Sequence, residues 1–128
     1  MIEISTDIAN ARLTAVLTNL DTGAGNARIR VYDGARPLWG IAAGNVLVEI
    51  VLNKPSGVVD TRVLTLSASN AGLVLKTGTA TWARIFNANG DIAFDADVSD
   101  QNGTGDIRLS KTTLYEGGEV SVLSAKLR

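Results

Sequence analysis

The segment 78–98 limits the fold more than any other part of the chain. It reads GTATWARIFN, then Ala88-Asn89-Gly90, then DIAFDADV. Two alternating runs flank an Asn-Gly pair, whose preference for positive φ suits a tight hairpin turn. Period two places Trp82, Arg84 and Phe86 on one side of the first arm, with Ala83 and Ile85 on the other. In the second arm Ile92, Phe94 and Ala96 share a face, and Asp91, Asp95 and Asp97 mostly share the opposite one. An antiparallel hairpin is predicted here.

Helical periodicity occurs once. Ser5, Thr6 and Asp7 are all capable N-caps. Leu13, Val16, Leu17 and Leu20 follow on one helical face, which Ile8 and Ala9 extend. This predicts a helix over about 6–20, ended by Asp21–Asn26 with Gly23 or Gly25 at positive φ. Beyond Asn26 the period changes to two. Ala27, Ile29 and Val31 alternate with Arg28, Arg30 and Tyr32, as in a half-buried strand.

Residues 34–45 read as a long loop, and 46–53 as an apolar, β-branched strand. Further short strands are predicted at 62–67, 73–75, 107–109 and 119–127, separated by glycine-bearing turns. Val122 and Leu123 fall on opposite parities, which calls for a bulge or a strand buried on both sides. One helix and about eight short strands define a mainly all-β chain. The expected architecture is an antiparallel β-sandwich or small barrel, a single domain over 1–128 with one N-terminal helix.

Composition narrows the chemistry. Cysteine and histidine are both absent from the 128 residues. That removes thiol nucleophiles, zinc–thiolate sites, the usual general base near neutral pH and the commonest transition-metal ligand. No enzymatic activity and no cofactor are expected. Twelve Lys+Arg against 13 Asp+Glu leave no basic stripe for nucleic acid. No run approaches the roughly 18–20 apolar residues of a membrane span. Met-Ile-Glu-Ile lacks the basic and apolar regions of a signal peptide, so synthesis in the cytoplasm is expected.

Four groups of residues are candidate sites. Asp95, Asp97 and Asp100 lie in an acidic stretch, but their spacing misses the calcium-loop pattern, and a solvated sheet face with Asx turns accounts for them better. A glycosidase carboxylate pair is disfavoured by the few aromatics. Gly23-Ala24-Gly25 follows a helix rather than preceding one, so it is a helix stop and not a phosphate loop. Arg28, Arg30 and Tyr32 share a strand face, either as an anionic-partner patch or as an exposed face paired across strands, to Asp95 or Asp97. Trp39, beside Leu38 and Ile41, is either a binding anchor or a plug folded over the end of the domain. Trp82, in mid-strand, is expected in the core.

The order of segments also carries a resemblance. It runs ANARLTAVLTNLDTG (9–23), ARIRVYDGARP (27–37), LVEIVLNKPSG (47–57), GTATWARIFNANGDIAFDADV (78–98) and TTLYEGGEVSVLSAKL (112–127). Together these resemble small virion structural proteins of tailed bacteriophages and prophages, over nearly the whole chain. The resemblance implies a virion subunit contacting capsid or tail proteins and other copies of itself. A capsid decoration role ranks first. A tail or neck accessory, or a receptor- or carbohydrate-binding module, is the alternative. The resemblance brings no functional residue with it.

Overall fold

The computed structural model describes residues 2–41 and 43–128. Its elements are α1 (Thr6–Asp21), β1 (Arg28–Tyr32), β2 (Val46–Val51), β3 (Gly57–Asp60), β4 (Val63–Leu66), β5 (Gly72–Leu73) and β6 (Gly78–Thr79). There follow β7 (Trp82–Phe86), β8 (Ile92–Asp100), β9 (Ile107–Leu109), β10 (Thr113–Leu114), β11 (Glu119–Val120) and β12 (Val122–Leu127). Eight strands form one sheet in the order β2-β1-β7-β8-β9-β12-β4-β3, curled into a half-barrel. The mainly β reading with one N-terminal helix therefore holds.

The helix begins where the cap predicts: the Ser5 hydroxyl accepts from the Ile8 N–H, and Gly23 at φ +139° follows its end. Ala9, Leu13 and Leu20 are buried, while Val16 and Leu17 pack partly against the core. Ile8 falls off this stripe and is exposed. Both helix ends are tied to sheet turns. The Arg62 guanidinium donates to the Ile4 carbonyl and the Arg62 N–H to Asn10 Oδ1, at the β3–β4 turn. At the other end the Ala88 N–H donates to the Leu20 carbonyl. The helix thus runs from the β3–β4 turn to the β7–β8 turn.

The concave face of the sheet carries the alternate apolar residues. Ile29, Val31, Val48, Ile50, Ala83, Ile85 and Leu109 are almost fully buried there. Pairing is antiparallel at every step but one, because β8 and β9 run parallel over Val98–Asp100 and Ile107–Leu109. That departure from the expected antiparallel order comes from the loop 101–106, which folds back along β8. The strand at 57–60 had no periodic signal long enough to register; its pairing with β4 forms it.

The register shifts between Val31 and Tyr32, where β1 meets β2, and at two further places. One lies between Ile85 and Phe86, where Ile92 comes opposite Phe86 and lines a groove with Phe94 and Val16 of α1. The other lies between Val122 and Ser124, at the place where opposed parities called for it.

Candidate functional site

The outer face of β2, β1, β7 and β8 carries a transverse row of charges. Register places Glu49 opposite Arg30, Arg30 opposite Arg84, and Arg84 opposite Asp95. Arg28 and Arg30 both grip Glu49, at 2.8 Å and 2.7 Å, and the Arg30 guanidinium lies 4.6 Å above the Phe86 ring. The expected pairing of these arginines with Asp95 or Asp97 does not occur. Asp95 belongs to Arg84, and Asp97 to Arg36 at 3.3 Å.

Arg84 is the centre of the arrangement. Its Nε donates to Asp95 Oδ1 at 2.8 Å and its Nη2 to Oδ2 at 3.1 Å. Both side chains are buried, at 3% and 7% exposure. The hydrogen bond to Asp95 raises the Arg84 pKa further above its ordinary value, outweighing the opposing effect of burial. Its remaining nitrogen, Nη1, donates to the Ile41 carbonyl at 2.8 Å. A charge that is costly to bury is thereby satisfied on three sides, and one of those sides is the 34–45 loop.

The loop is strapped at its start as well. Trp82 Nε1 donates to the Asp33 carbonyl at 3.2 Å, and the Thr81 hydroxyl to the Gly34 carbonyl at 2.6 Å. Beneath it Tyr32 and Trp82 stack at 4.5 Å between centroids. Tyr32, singled out as a contact residue, is buried under the loop and serves packing instead. Burial raises its phenol pKa above the ordinary value.

Between the straps, the Ile41 N–H donates to the Leu38 carbonyl at 3.1 Å, closing a turn with Gly40 at φ +82°. This turn presents Leu38, Trp39 and Ile41 outward, at 83%, 62% and 55% exposure. Trp39 is therefore not a plug. An open groove runs beside it, lined by Arg36, Pro37, Phe94 and Asp95.

The acidic residues do not converge. Asp95 spends both oxygens on Arg84, Asp97 pairs with Arg36, and Asp100 accepts from the Asn102 and Gly103 N–H groups of its own turn. Among the described residues, no three carboxylates group as a metal site would require. No helix among them is long and apolar enough to cross a membrane. What the outer face offers is a rigidly held apolar projection beside a groove.

Arg84 is the residue that strand-by-strand reading passed over. The signal was present: counting outward from Asn89-Gly90 places Arg84 against Asp95. An arginine amid Trp-Ala-Arg-Ile-Phe then requires a buried partner. No protein-family model, curated protein or solved structure matches the chain.

Proposed function

We propose that the chain is a non-enzymatic structural subunit of a tailed-bacteriophage virion, most simply a capsid decoration or other surface accessory protein. It acts by docking the Leu38–Trp39–Ile41 turn into an apolar recess on a neighbouring virion protein. The observation that carries the docking role is that turn. Three large apolar side chains stand in water on a segment fixed from below by Arg84, Thr81 and Trp82. Exposed tryptophan on a preorganised backbone is what an interface anchor requires, since little conformational entropy is lost on docking. The virion setting is supported by the resemblance of 78–98 and its neighbouring segments.

The test is immunogold electron microscopy of purified virions, which should label a regular set of positions on the particle. Particles that carry none of the protein would overturn the proposal. A tail-tip recognition module would instead show itself by labelling only the distal tail and by binding on a glycan array.

A further inference from the structure

The outward arginines of the sheet have acids, with one exception. Arg28 and Arg30 share Glu49, and Arg84 has Asp95. Arg108, at the centre of β9, has no carboxylate within ion-pair distance among the described residues. It is half-buried between Ile107 and Leu109, which are both buried in the core. Register places Ser99 of β8 on one side of it and Ser124 of β12 on the other. A guanidinium drawn partly out of water without a counter-charge is costly, so the position calls for an anion from outside.

The loop ahead of β9 aims this side chain. Arg108 Nε donates to the Gly105 carbonyl at 3.4 Å. Gly105 is itself held, because its N–H donates to the Ser99 hydroxyl at 2.9 Å. The Asp106 carbonyl accepts from the Lys126 N–H at 3.1 Å, which ties the same loop to β12. Nη1 and Nη2 of Arg108 are left without a partner among the described residues. Two such N–H groups form the fork that suits two oxygens of one oxyanion.

Arg108 opens on a cavity of about 290 Å³ on the outer face. Thr104, Asp106, Ser124, Lys126 and Arg128 line it as well. Lys126 and, just past the strand, Arg128 follow Ser124 at period two, so all three share one side of the sheet. Neither added cation has a carboxylate within ion-pair distance among the described residues. The cavity thus gathers three unpaired cations and two hydroxyls.

Charge and size choose the anion. Three cationic side chains against Asp106 leave two positive charges. A carboxylate would neutralise one of them, whereas a phosphate monoester carries about −1.5 to −2 at pH 7. The volume is close to the roughly 300 Å³ at which small-molecule sites begin, which leaves room for the group esterified to the phosphate. Asp106 accepts hydrogen bonds only, and a hydroxyl supplies one without altering the charge balance.

We propose that this cavity binds a small polyol or sugar phosphate. The Arg108 fork and Lys126 hold the phosphate, and Asp106 accepts from a hydroxyl of the esterified group. The site stands apart from the docking turn and does not depend on the virion role.

Isothermal titration calorimetry at low ionic strength tests it, with glycerol 3-phosphate and inorganic phosphate as probes. Glycerol 3-phosphate should bind with a Kd of about 1 mM or below. It should bind about threefold or more tighter than inorganic phosphate, through the added hydroxyl contact. Arg108→Gln should weaken both probes by about tenfold or more, the loss expected for charged hydrogen bonds. Lys126→Gln, at an exposed position, should weaken both with Tm unchanged, so the test does not hang on Arg108 alone. Asp106→Asn should remove the preference for the ester while phosphate binding survives. Lys111→Gln, a charge change outside the cavity, should leave both probes unaffected. No saturable binding of glycerol 3-phosphate, or equal weakening by Lys111→Gln and Arg108→Gln, overturns the site. Equal affinity for the two probes overturns the ester as its ligand.

Discussion

Arg84 shows how one residue couples the sheet to the loop above it. Its charge is buried with Asp95 and its last donor reaches the Ile41 carbonyl. Removing either charge strands the other in a low-dielectric site, which costs about 3–5 kcal/mol, whereas replacing both with apolar groups costs far less. Arg84→Met and Asp95→Leu should each lower stability by that amount, and the double variant should recover most of the loss. Equilibrium urea unfolding of the three variants measures this, and additive losses would show that the pair is not coupled. Tyr32 gives a second expectation. Its pKa is raised in the folded chain, so the neutral phenol contributes full stability below the unfolded value near 10. As pH rises past 10, the unfolded chain releases that proton first, and stability falls. Tyr32→Phe should flatten this alkaline decline in thermal melts recorded between pH 9 and pH 11.

At the scale of elements, the two turns of β8 make different demands on glycine. Gly90 closes the β7–β8 hairpin at φ +89° with open space where a Cβ would stand. Gly90→Ala should therefore cost only the backbone strain, about 1 kcal/mol. Gly105 sits in the loop that turns β8 back to its parallel partner. A Cβ there would lie 2.7 Å from the Ser99 backbone nitrogen and 2.9 Å from the Val98 carbonyl carbon. Gly105→Ala forces the loop away from β8 and should cost more than Gly90→Ala, by about 1–2 kcal/mol. Chemical denaturation of both variants orders them, and equal losses would mean the loop 101–106 is free to shift. The same close packing holds the short crossover against β8, whose parallel pairing with β9 spans three residues.

At the scale of the whole molecule, the half-barrel is drawn together at both ends of β2. The Asn53 N–H donates to the Ser67 carbonyl at 2.9 Å, just past β4. At the other end Val48 bridges Val74, whose N–H donates to the Gly118 carbonyl beside β11. The core is thereby closed on several sides without the side chains of Leu38, Trp39 and Ile41, which stay exposed. Trp39→Ala should change folding stability by no more than about 0.5 kcal/mol, as for other exposed positions. Its incorporation into particles should fall at least tenfold. A drop in Tm of several degrees, with incorporation intact, would make Trp39 a structural residue and remove the docking role.

The local rules were legible from the residues alone. The helix with its Ser5 cap, the Asn-Gly hairpin, the alternating strands and the closing bulge all appear where periodicity and turn chemistry put them. These depend on neighbours within a few positions, and side-chain patterns encode such neighbours directly. Strand order, the parallel β8–β9 step and the burial of Arg84 against the Ile41 carbonyl were decided only by the tertiary structure. Each joins residues distant in the chain, and the free energy that selects among such pairings comes from burying surfaces together. Alternation in β1 fixes that Arg30 and Tyr32 face the same way. It cannot fix that a loop then covers Tyr32 and leaves Trp39 in water on an exposed turn.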